Sequence, residues 1–376
     1  MTALFWTALV SLGIWLWLLL GQGLFWRTDT RLPPRRAPER WPSVAVVVPA
    51  RDEAGVLPLS LPSLLTQDYP GEARIFLVDD GSADGTGELA RRLAERVRDG
   101  LKLTVSEPGE PAPGWTGKLW AVQHGIAAAR ADGEPEFLLL TDADIAHDPD
   151  SLRELVSAAL TSGLDMVSLM ARLRAAGRWE RLVVPAFVYF FAQLYPFRRV
   201  NSPASRTAAA AGGCVLLRTE AAVRAGVPGC IRGALIDDVT LASAVKKSGG
   251  RIWLGLADGV HSIRPYDQLP DLWRMVARSA YAQLRNNPFL LAGTVIGLVL
   301  VYLVPPVATL FGVLPGAAAW AVMAATYAPM LRYYRQPLWL APTLPFTAGL
   351  YTLMTVDSAR RHHAGRGAAW KGRTYG

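Results

Sequence analysis

The chain has 376 residues, of which 51% are apolar and 19% are charged, and this composition excludes a disordered chain and a wholly soluble, charge-coated one. Its two cysteines, Cys214 and Cys230, exclude a disulfide scaffold and a cysteine-rich zinc module. The net charge of +8 is concentrated in residues 272–376, which carry ten Arg and Lys against one Asp and are also the most apolar third. This combination favours a membrane surface over nucleic acid as a partner.

Residues 1–26 contain no charged side chain. As a helix, this stretch would be long enough to cross the ~30 Å hydrocarbon core of a bilayer. It lacks the basic start, the short apolar run and the cleavage site of a secretory signal, which favours a retained N-terminal transmembrane anchor; a buried core helix is the alternative. The linker at residues 27–42 is basic, and the positive-inside rule therefore places it in the cytoplasm.

Residues 43–271 predict a cytoplasmic α/β domain with a mostly parallel central sheet. Short apolar runs bounded by turn residues alternate with helical stretches such as 87–97 and 119–130, which is the pattern of βαβ units. Ligands of such sheets bind at the carboxyl ends of the strands, so the residues after each run form the candidate site. The predicted strands are Val44–Val48, Ile75–Val78, Leu101–Val105, Phe137–Leu140 and Met166–Leu169.

Turns rich in carboxylates follow three of these strands. Each turn alone would also fit a strand-to-helix connection with a capping side chain. Together they would concentrate negative charge in one cleft, and a divalent cation is the obvious counter-charge because Mg²⁺ and Mn²⁺ bind carboxylate together with phosphate oxygens. We therefore predict a shared nucleotide and metal site. The residues are Pro49, Asp52 and Glu53 after the first strand, Asp79 and Asp80 after the second, and Asp142 and Asp144 after the fourth.

The C-terminal third alternates between basic and apolar segments. Residues 272–287 predict an amphipathic segment at the membrane interface, with its arginines toward lipid headgroups. Residues 288–356 predict transmembrane helices, and residues 357–376 predict a basic tail.

The number of C-terminal spans is open at this stage. The uncharged run 286–331 accommodates two spans with a reversal at Leu314–Gly316, and the run 336–356 provides a third. Pro342 and Pro345 would instead allow the last segment to be re-entrant. If every segment spans, the basic tail lies on the side opposite the central domain.

Four motifs, in this order along the chain, resemble the motif series of glycosyltransferase family 2. Members of this family are inverting, nucleotide-sugar-dependent enzymes of the GT-A fold, so the resemblance implies a GT-A-like catalytic domain. The four motifs are Pro49–Glu53, Asp79–Thr86, Asp142–Asp144 and Ile236–Ala242. The segments that resemble the membrane-anchored, hopanoid-associated subgroup are Gly114–Lys118, Ala211–Cys214 and Trp370–Arg373.

The resemblance implies which residues bind the donor. Asp142 and Asp144 match the family's Asp-x-Asp, which holds a divalent metal (Mg²⁺ or Mn²⁺) and the donor. Lys118 matches a position near the donor phosphates, where a point positive charge suits a diphosphate. The positions that match the family's nucleoside-binding motifs are Pro49, Asp52, Glu53, Asp79 and Asp80.

The resemblance also implies a catalytic base and an acceptor side. Asp238 matches the base, and it is preceded by Asp237 where many members have Glu. Gly212 and Gly213 would leave room for the acceptor, although small residues are as often used for tight helix packing. Processive relatives carry Gln-x-x-Arg-Trp near the membrane, and this chain keeps only its arginine, Arg278.

These observations favour a membrane-bound inverting glycosyltransferase with a cytoplasmic catalytic domain, as a multi-pass protein of the inner membrane. It would transfer one sugar from a nucleotide-diphosphate sugar, UDP-linked, to a lipid-like acceptor, and the subgroup resemblance implies a place in hopanoid-related lipid metabolism. Two alternatives stay open: a polyprenyl-phosphate sugar synthase, and a non-catalytic membrane scaffold of a lipid pathway.

Overall fold

The computed structural model describes residues 1–365 and the backbone of residues 369–370 and 373–374. The predicted basic tail, residues 357–376, is therefore described with side chains only as far as residue 365, where the last helix has just ended. Arg366 and Lys371, and with them part of the Trp370–Arg373 motif, lie outside the described residues.

An eight-stranded mixed sheet forms the centre of the α/β domain, with strand order β3-β2-β1-β4-β7-β6-β8-β5. Strands β1, β2, β3 and β4 are parallel neighbours, β7 runs antiparallel to β4 and β6, and β5 runs antiparallel to β8. The strands are β1 Val44–Ala50, β2 Ala73–Asp79, β3 Lys102–Ser106, β4 Phe137–Thr141, β5 Ile145–His147, β6 Met166–Arg172, β7 Cys214–Arg218 and β8 Ile252–Ser262, and the short pair β9 Ala369–Trp370 and β10 Arg373–Thr374 lies apart from this sheet.

Helices cover both faces of the sheet and form the membrane-type bundle. A π-helical segment, Val299–Leu303, and two 3₁₀ segments, Gly229–Ile231 and Leu338–Thr343, connect some of them. The α-helices are α1 Thr2–Leu20, α2 Leu57–Leu65, α3 Thr86–Arg96, α4 Gly117–Gly133, α5 Ser151–Ser162, α6 Arg178–Leu194, α7 Phe197–Val200, α8 Thr219–Ala225, α9 Asp237–Lys247, α10 Leu269–Ala277, α11 Ala280–Gln283, α12 Pro288–Leu298, α13 Val304–Leu310, α14 Leu314–Tyr333 and α15 Leu344–His363.

Strand β1 shows why the sequence reads as a continuous apolar run. All seven of its residues are buried. Ala45 and Val47 pack into one core cluster, and Val44, Val46 and Val48 pack into a second cluster. A strand buried on both faces needs apolar side chains at every position, which removes the alternation expected of a strand with one wet face.

The predicted α/β fold with a mostly parallel sheet is confirmed, and all five predicted strands are present. Of the three further strands, β7 runs antiparallel to β4 and β6, β8 runs parallel to β6, and β5 forms the edge antiparallel to β8. Strand β8 is the longest at 11 residues, but Gly255, Asp258 and Gly259 interrupt its apolar pattern. The site residues after β8 were consequently not among the sequence predictions.

Three helical segments are long and apolar enough to cross a membrane within the described part of the chain: Thr2–Leu20, Pro288–Leu310 and Leu314–Tyr333. The run 336–356 is divided between a 3₁₀ segment and α15, and α15 continues into Asp357 and a basic last turn. This third C-terminal segment is therefore not among the described helices that are long and apolar enough to cross a membrane, and its crossing stays a prediction.

The reversal between the two C-terminal spans lies three residues earlier than predicted. Helix α13 ends at Leu310, and the chain turns at Phe311–Val313, where Gly312 has a φ of +75°. Pro315 lies in the first turn of α14. A proline there is no helix breaker, because the amide N–H it lacks would have no partner within the helix.

A proline also explains how the N-terminal helix is joined to this hairpin. Pro305 has no N–H to donate to the carbonyl of Val301, one turn earlier, so that carbonyl needs another donor. The Trp15 indole Nε1–H donates to it at 2.8 Å, and Ser11 Oγ lies at 3.4 Å. Trp15 and Ser11 are both fully buried. The carbonyl released by the proline thus fixes α1 against the α12–α13 segment.

We predict that Trp15→Phe lowers the stability of the helical bundle by about 1 kcal/mol, because it keeps the ring but removes the N–H that satisfies the Val301 carbonyl. The measurement is the midpoint of thermal unfolding in detergent. Trp6→Phe is the matched control, since Trp6 is 59% exposed. Equal shifts for the two variants would contradict the prediction.

Candidate functional site

A single cavity of about 1150 Å³ opens at the carboxyl ends of the central strands. Its walls include ten of the thirteen site residues predicted from the sequence, so tertiary structure brings most of them to one place. These ten are Pro49, Glu53, Lys118, Asp142, Asp144, Gly212, Gly213, Asp237, Asp238 and Arg278.

Lys118 joins two carboxylates across the polar end of this cavity. It is the second residue of α4, whose N-cap Thr116 accepts from the Leu119 N–H. The Lys118 Nζ lies 3.0 Å from Asp142 Oδ1 and 3.0 Å from Asp237 Oδ2. Burial opposes the ammonium charge, but the two carboxylates outweigh it and raise the pKa of Lys118. The side chain is therefore a permanent cation between the strand β4 turn and the start of α9.

Arg264 makes a second bridge, which the sequence analysis did not predict. Its Nη2 lies 2.6 Å from Glu53 Oε2, and its Nε lies 2.6 Å from Asp144 Oδ2. These charge-assisted contacts join the β1 and β4 turns to the segment after β8. Burial works against the guanidinium, but the two carboxylates outweigh it and raise the pKa of Arg264. The sequence signal was a basic residue directly after a strand, which becomes visible once β8 is recognised.

Asp238 occupies the first turn of α9, where two backbone donors hold its carboxylate. The Gly212 N–H donates to Oδ2 at 3.0 Å, and the Val239 N–H donates to Oδ1 at 2.7 Å. Burial, followed by the neighbouring charge of Asp237, raises the pKa of Asp238 to about 6. A carboxylate with this pKa is still largely ionised at neutral pH and is a stronger base than an ordinary aspartate.

Gly212 places this carboxylate next to Lys118. A Cβ built on Gly212 would lie 3.5 Å from Lys118 Nζ and 3.6 Å from Asp238 Oδ2. The Gly212–Gly213 segment is in turn attached to strand β4, because Thr141 Oγ1 donates to the Gly213 carbonyl at 2.8 Å. The antiparallel strand β7, which begins at Cys214, thus delivers the backbone donor that orients Asp238.

The other three predicted residues, Asp52, Asp79 and Asp80, are not among the described residues that line the cavity. Asp79 Oδ1 accepts from the Ser82 N–H and its Oδ2 accepts from the Gly87 N–H, each at 3.0 Å. Asp52 has a φ of +50°, and its N–H donates to Ser82 Oγ at 2.9 Å. These contacts connect the loops after β1 and β2.

Asp80, the last of the three, is 1% exposed. Its Oδ2 lies 3.4 Å from Arg51 Nη1, and its N–H donates to the Ala50 carbonyl at 2.8 Å. The aspartate thus belongs to the interior of the β1 and β2 loops. The nucleoside contacts assigned to Asp52, Asp79 and Asp80 by resemblance stay a prediction.

The donor set at the polar end suits a divalent cation only in part. Within the described residues, no group of three or more His, Cys, Asp or Glu side chains is arranged to hold a metal. Five carboxylates at this end nevertheless outnumber the two cations, Lys118 and Arg264, and leave a formal charge of −3 when all are ionised. The five are Glu53, Asp142, Asp144, Asp237 and Asp238. Mg²⁺ and Mn²⁺ are commonly held by one or two carboxylates plus substrate phosphates, so Asp142 and Asp144 fit a cation that a diphosphate completes.

The same cavity has a second end formed by helices. Its walls there include Phe187 and Phe191 of α6, Tyr281 of α11 and His362 of α15. Residues 272–287, predicted as an amphipathic interfacial segment, contain the end of α10 and all of α11, with a break at Arg278, and their place at a membrane interface stays a prediction.

Two hydrogen bonds attach this segment to α15. Trp273 Nε1 donates to Asp357 Oδ2 at 2.9 Å, and the Tyr281 N–H donates to Ser358 Oγ at 3.0 Å. These bonds hold together the helical wall of the cavity. The charged end and the aromatic end of this cavity belong to one continuous space.

We predict that Gly87→Ala destabilises the domain by about 1–3 kcal/mol, because the new Cβ would lie only 2.7 Å from Asp79 Oδ2 and would break the buried Gly87 N–H bond. Gly133→Ala is the control, since a Cβ there would meet no atom within 4 Å. Thermal unfolding measures both variants. A Gly87→Ala midpoint equal to the control would show that the Asp79 bond contributes nothing to stability.

A known family profile matches most of the central domain. Residues 45–224 match the sequence profile of Glycosyl transferase family 2. The matched range contains Lys118, Asp142 and Asp144 and ends before Asp238 and Arg264. Asp238 and the second cationic bridge thus lie beyond the matched segment.

Two curated relatives are similar over part of their length. The undecaprenyl-phosphate 4-deoxy-4-formamido-L-arabinose transferase of Aeromonas hydrophila is 33% identical over 137 residues, which are 35% of this chain and 37% of the relative. The beta-monoglucosyldiacylglycerol synthase of Synechocystis sp. is 28% identical over 198 residues, which are 47% of this chain and 39% of the relative. The chain thus spans less than half the length of these two relatives.

A solved structure is similar over nearly the whole chain. It is a mannosyltransferase from Pyrobaculum calidifontis in complex with GDP-Man and Mn²⁺, with a TM-score of 0.54 and 20% identity. The match covers 93% of this chain and 99% of the other. At this identity the likeness concerns the fold, and it extends to the apolar helices at both ends of the α/β domain.

Proposed function

We propose that this chain, whose residues 45–224 form a glycosyltransferase family 2 domain, moves one sugar from a nucleotide-diphosphate sugar to a lipid-like acceptor. The observation that carries the proposal is the single cavity that joins the Lys118–Asp142–Asp237–Asp238 cluster to an aromatic end beside the apolar helices. A charged donor and an apolar acceptor can meet only in a space that is lined by both charged and apolar side chains.

The donor end suits a nucleoside diphosphate. The Pyrobaculum mannosyltransferase was solved with GDP-Man and Mn²⁺. We propose a nucleotide-sugar donor here too, and the prediction from the sequence is a UDP-linked one. Asp142 and Asp144 would hold Mg²⁺ or Mn²⁺ together with the diphosphate, and the cation would neutralise the leaving group's charge. Lys118 would add its own positive charge beside the same phosphates.

Asp238 would act as the general base. Its carboxylate lines the cavity, where an acceptor hydroxyl could approach it, and the Gly212 and Val239 amides hold it in place. Accepting that proton as the hydroxyl attacks would contribute about 10²–10⁴-fold to the rate. A single direct displacement inverts the anomeric centre, so an α-linked donor would give a β product.

The acceptor would come from the membrane. The relatives from Aeromonas and Synechocystis are named for an undecaprenyl phosphate and a glycosylated diacylglycerol, which supports a lipid-like acceptor. A hopanoid acceptor rests on the sequence resemblance alone and has no support among these relatives. The basic flank after α1 and the three apolar segments support a multi-pass protein of the inner membrane with its α/β domain in the cytoplasm.

A polyprenyl-phosphate sugar synthase is the second candidate, and a specific observation favours it. Arg274, Arg278 and Arg361 all line the membrane-side end of the cavity, where they would attract a lipid phosphate. The product distinguishes the two candidates, because a sugar attached to a phosphate is released by mild acid whereas an ordinary glycoside is not.

We expect Asp238→Asn and Asp142→Ala each to reduce turnover at least about 10²-fold, because one removes the base and the other a donor and metal ligand. The assay is nucleoside diphosphate release from candidate donors with bacterial lipid extract and Mn²⁺ or Mg²⁺. Asp99→Asn is the matched control, since Asp99 is an exposed loop residue at φ +59°, a conformation that suits Asn equally well. Full turnover in the two site variants would refute these roles, and donor binding without turnover across a broad acceptor panel would favour a scaffold.

The rate should fall as the pH drops below about 6, because the raised pKa of Asp238 means that protonation removes the base in this range. Above that pH the base is ionised and the acidic limb disappears. Asp238→Glu keeps a carboxylate but moves it by one methylene, so its acidic limb should shift. An identical limb in wild type and Asp238→Glu would assign the titration to another group.

A further inference from the structure

Arg264 differs from the other cation of the site in what it occupies. Lys118 joins Asp142, the other proposed metal ligand, to Asp237. Arg264 uses its Nε to hold Asp144 and its Nη2 to hold Glu53, so it joins a proposed metal ligand to the β1 turn. The carboxylates of Asp144 and Glu53 are mostly buried, with side-chain exposures of 17% and 9%. The guanidinium thus occupies the charge-balancing position that a metal would take.

The backbone around Arg264 is fixed on both sides. The Ile263 N–H donates to the Asp144 carbonyl at 3.0 Å, and the Tyr266 N–H donates to Glu180 Oε1 at 2.8 Å. Glu180 is fully buried in α6 and also accepts from the backbone N–H of Ala176 and Gly177 at 2.8 Å. The long arginine side chain can therefore change partners by rotamer changes alone, without any movement of the loop that carries it.

Arg264 and a divalent cation compete for the Asp144 carboxylate, because the guanidinium holds one of its oxygens and the two cations repel each other. Metal binding at Asp144 is therefore weakened while Arg264 stays in place. A diphosphate would compensate for the lost bond, since the planar guanidinium binds phosphate oxygens through two donors at once.

We propose that Arg264 is a donor-operated latch: it closes Asp144 against divalent cations until a nucleoside diphosphate enters the cavity and takes the guanidinium. This inference rests on the proposed nucleotide-sugar function. It makes binding of metal and of nucleoside diphosphate cooperative, because the diphosphate draws Arg264 away from the Asp144 carboxylate and the metal takes the place of Arg264 there. By linkage, each then increases the affinity of the other by the same factor.

The test measures binding rather than turnover. Mn²⁺ is titrated into the full-length protein in detergent, with and without UDP or GDP, and free Mn²⁺ is read by electron paramagnetic resonance. In Arg264→Gln, Mn²⁺ alone should bind about tenfold more tightly than in wild type, and the gain from adding nucleoside diphosphate should shrink by a similar factor. Arg264→Lys, which keeps the charge but cannot bridge two carboxylates in the same way, should lie between the two.

Arg153→Gln is the matched control, since Arg153 also forms a salt bridge, to Asp68 at 2.6 Å, but lies outside the cavity lining. Its Mn²⁺ affinity should equal that of wild type. Asp144→Asn, which removes the ligand itself, should abolish the gain seen in Arg264→Gln when the two are combined.

Three results would overturn the latch. If wild type binds Mn²⁺ with UDP or GDP but Arg264→Gln has the same affinity for Mn²⁺ alone, the latch is wrong while the proposed function stands. If the gain persists in the double variant, the tighter Mn²⁺ site does not involve Asp144. If wild type binds neither nucleoside diphosphate with metal, the proposed function fails and the latch fails with it.

Discussion

Several carboxylates share one partly buried cavity, and this concentration of negative charge is the constraint on which the rest of the structure depends. Unpaired buried carboxylates would take up protons or oppose folding, so each needs a cation or a backbone donor nearby. Lys118 and Arg264 supply the cations, and the amides of Gly212 and Val239 supply the donors for Asp238. The remaining negative charge is what the divalent cation of the proposed function would balance.

The mixed sheet is the device that meets this constraint. Its parallel half places the β1 and β4 turns side by side, which brings Glu53 close to the Asp142–Asp144 turn. Strand β7, which is antiparallel to β4, starts at this edge and delivers Gly212, and β8, which is parallel to β6, ends there and delivers Arg264. Both directions are needed, because Gly212 lies before its strand whereas Arg264 and the acids of the β1 and β4 turns lie after theirs.

The apolar helices are attached to this domain by polar contacts inside an apolar bundle. The Tyr189 hydroxyl of α6 lies 2.8 Å from Thr326 Oγ1 of α14. The Tyr333 hydroxyl donates to the Ala257 carbonyl of β8 at 2.6 Å. The Trp15 bond to Val301 uses the carbonyl that Pro305 leaves without a partner. Because α6 carries both Glu180 and the aromatic wall of the cavity, the bundle and the site share one structural element.

The sequence by itself determined the α/β class, the strands of the parallel half, the apolar segments and most of the acidic residues, because these depend on local signals: apolar runs, turn residues and clustered carboxylates. Tertiary structure alone decided that Asp52, Asp79 and Asp80 connect loops, that the reversal lies at Phe311–Val313, and that Arg264 is the partner of Asp144. The loop contacts and the Arg264 bridge follow from which strands become neighbours. The Arg264–Asp144 interaction joins residues 120 positions apart, and such an interaction leaves no mark in the local sequence pattern.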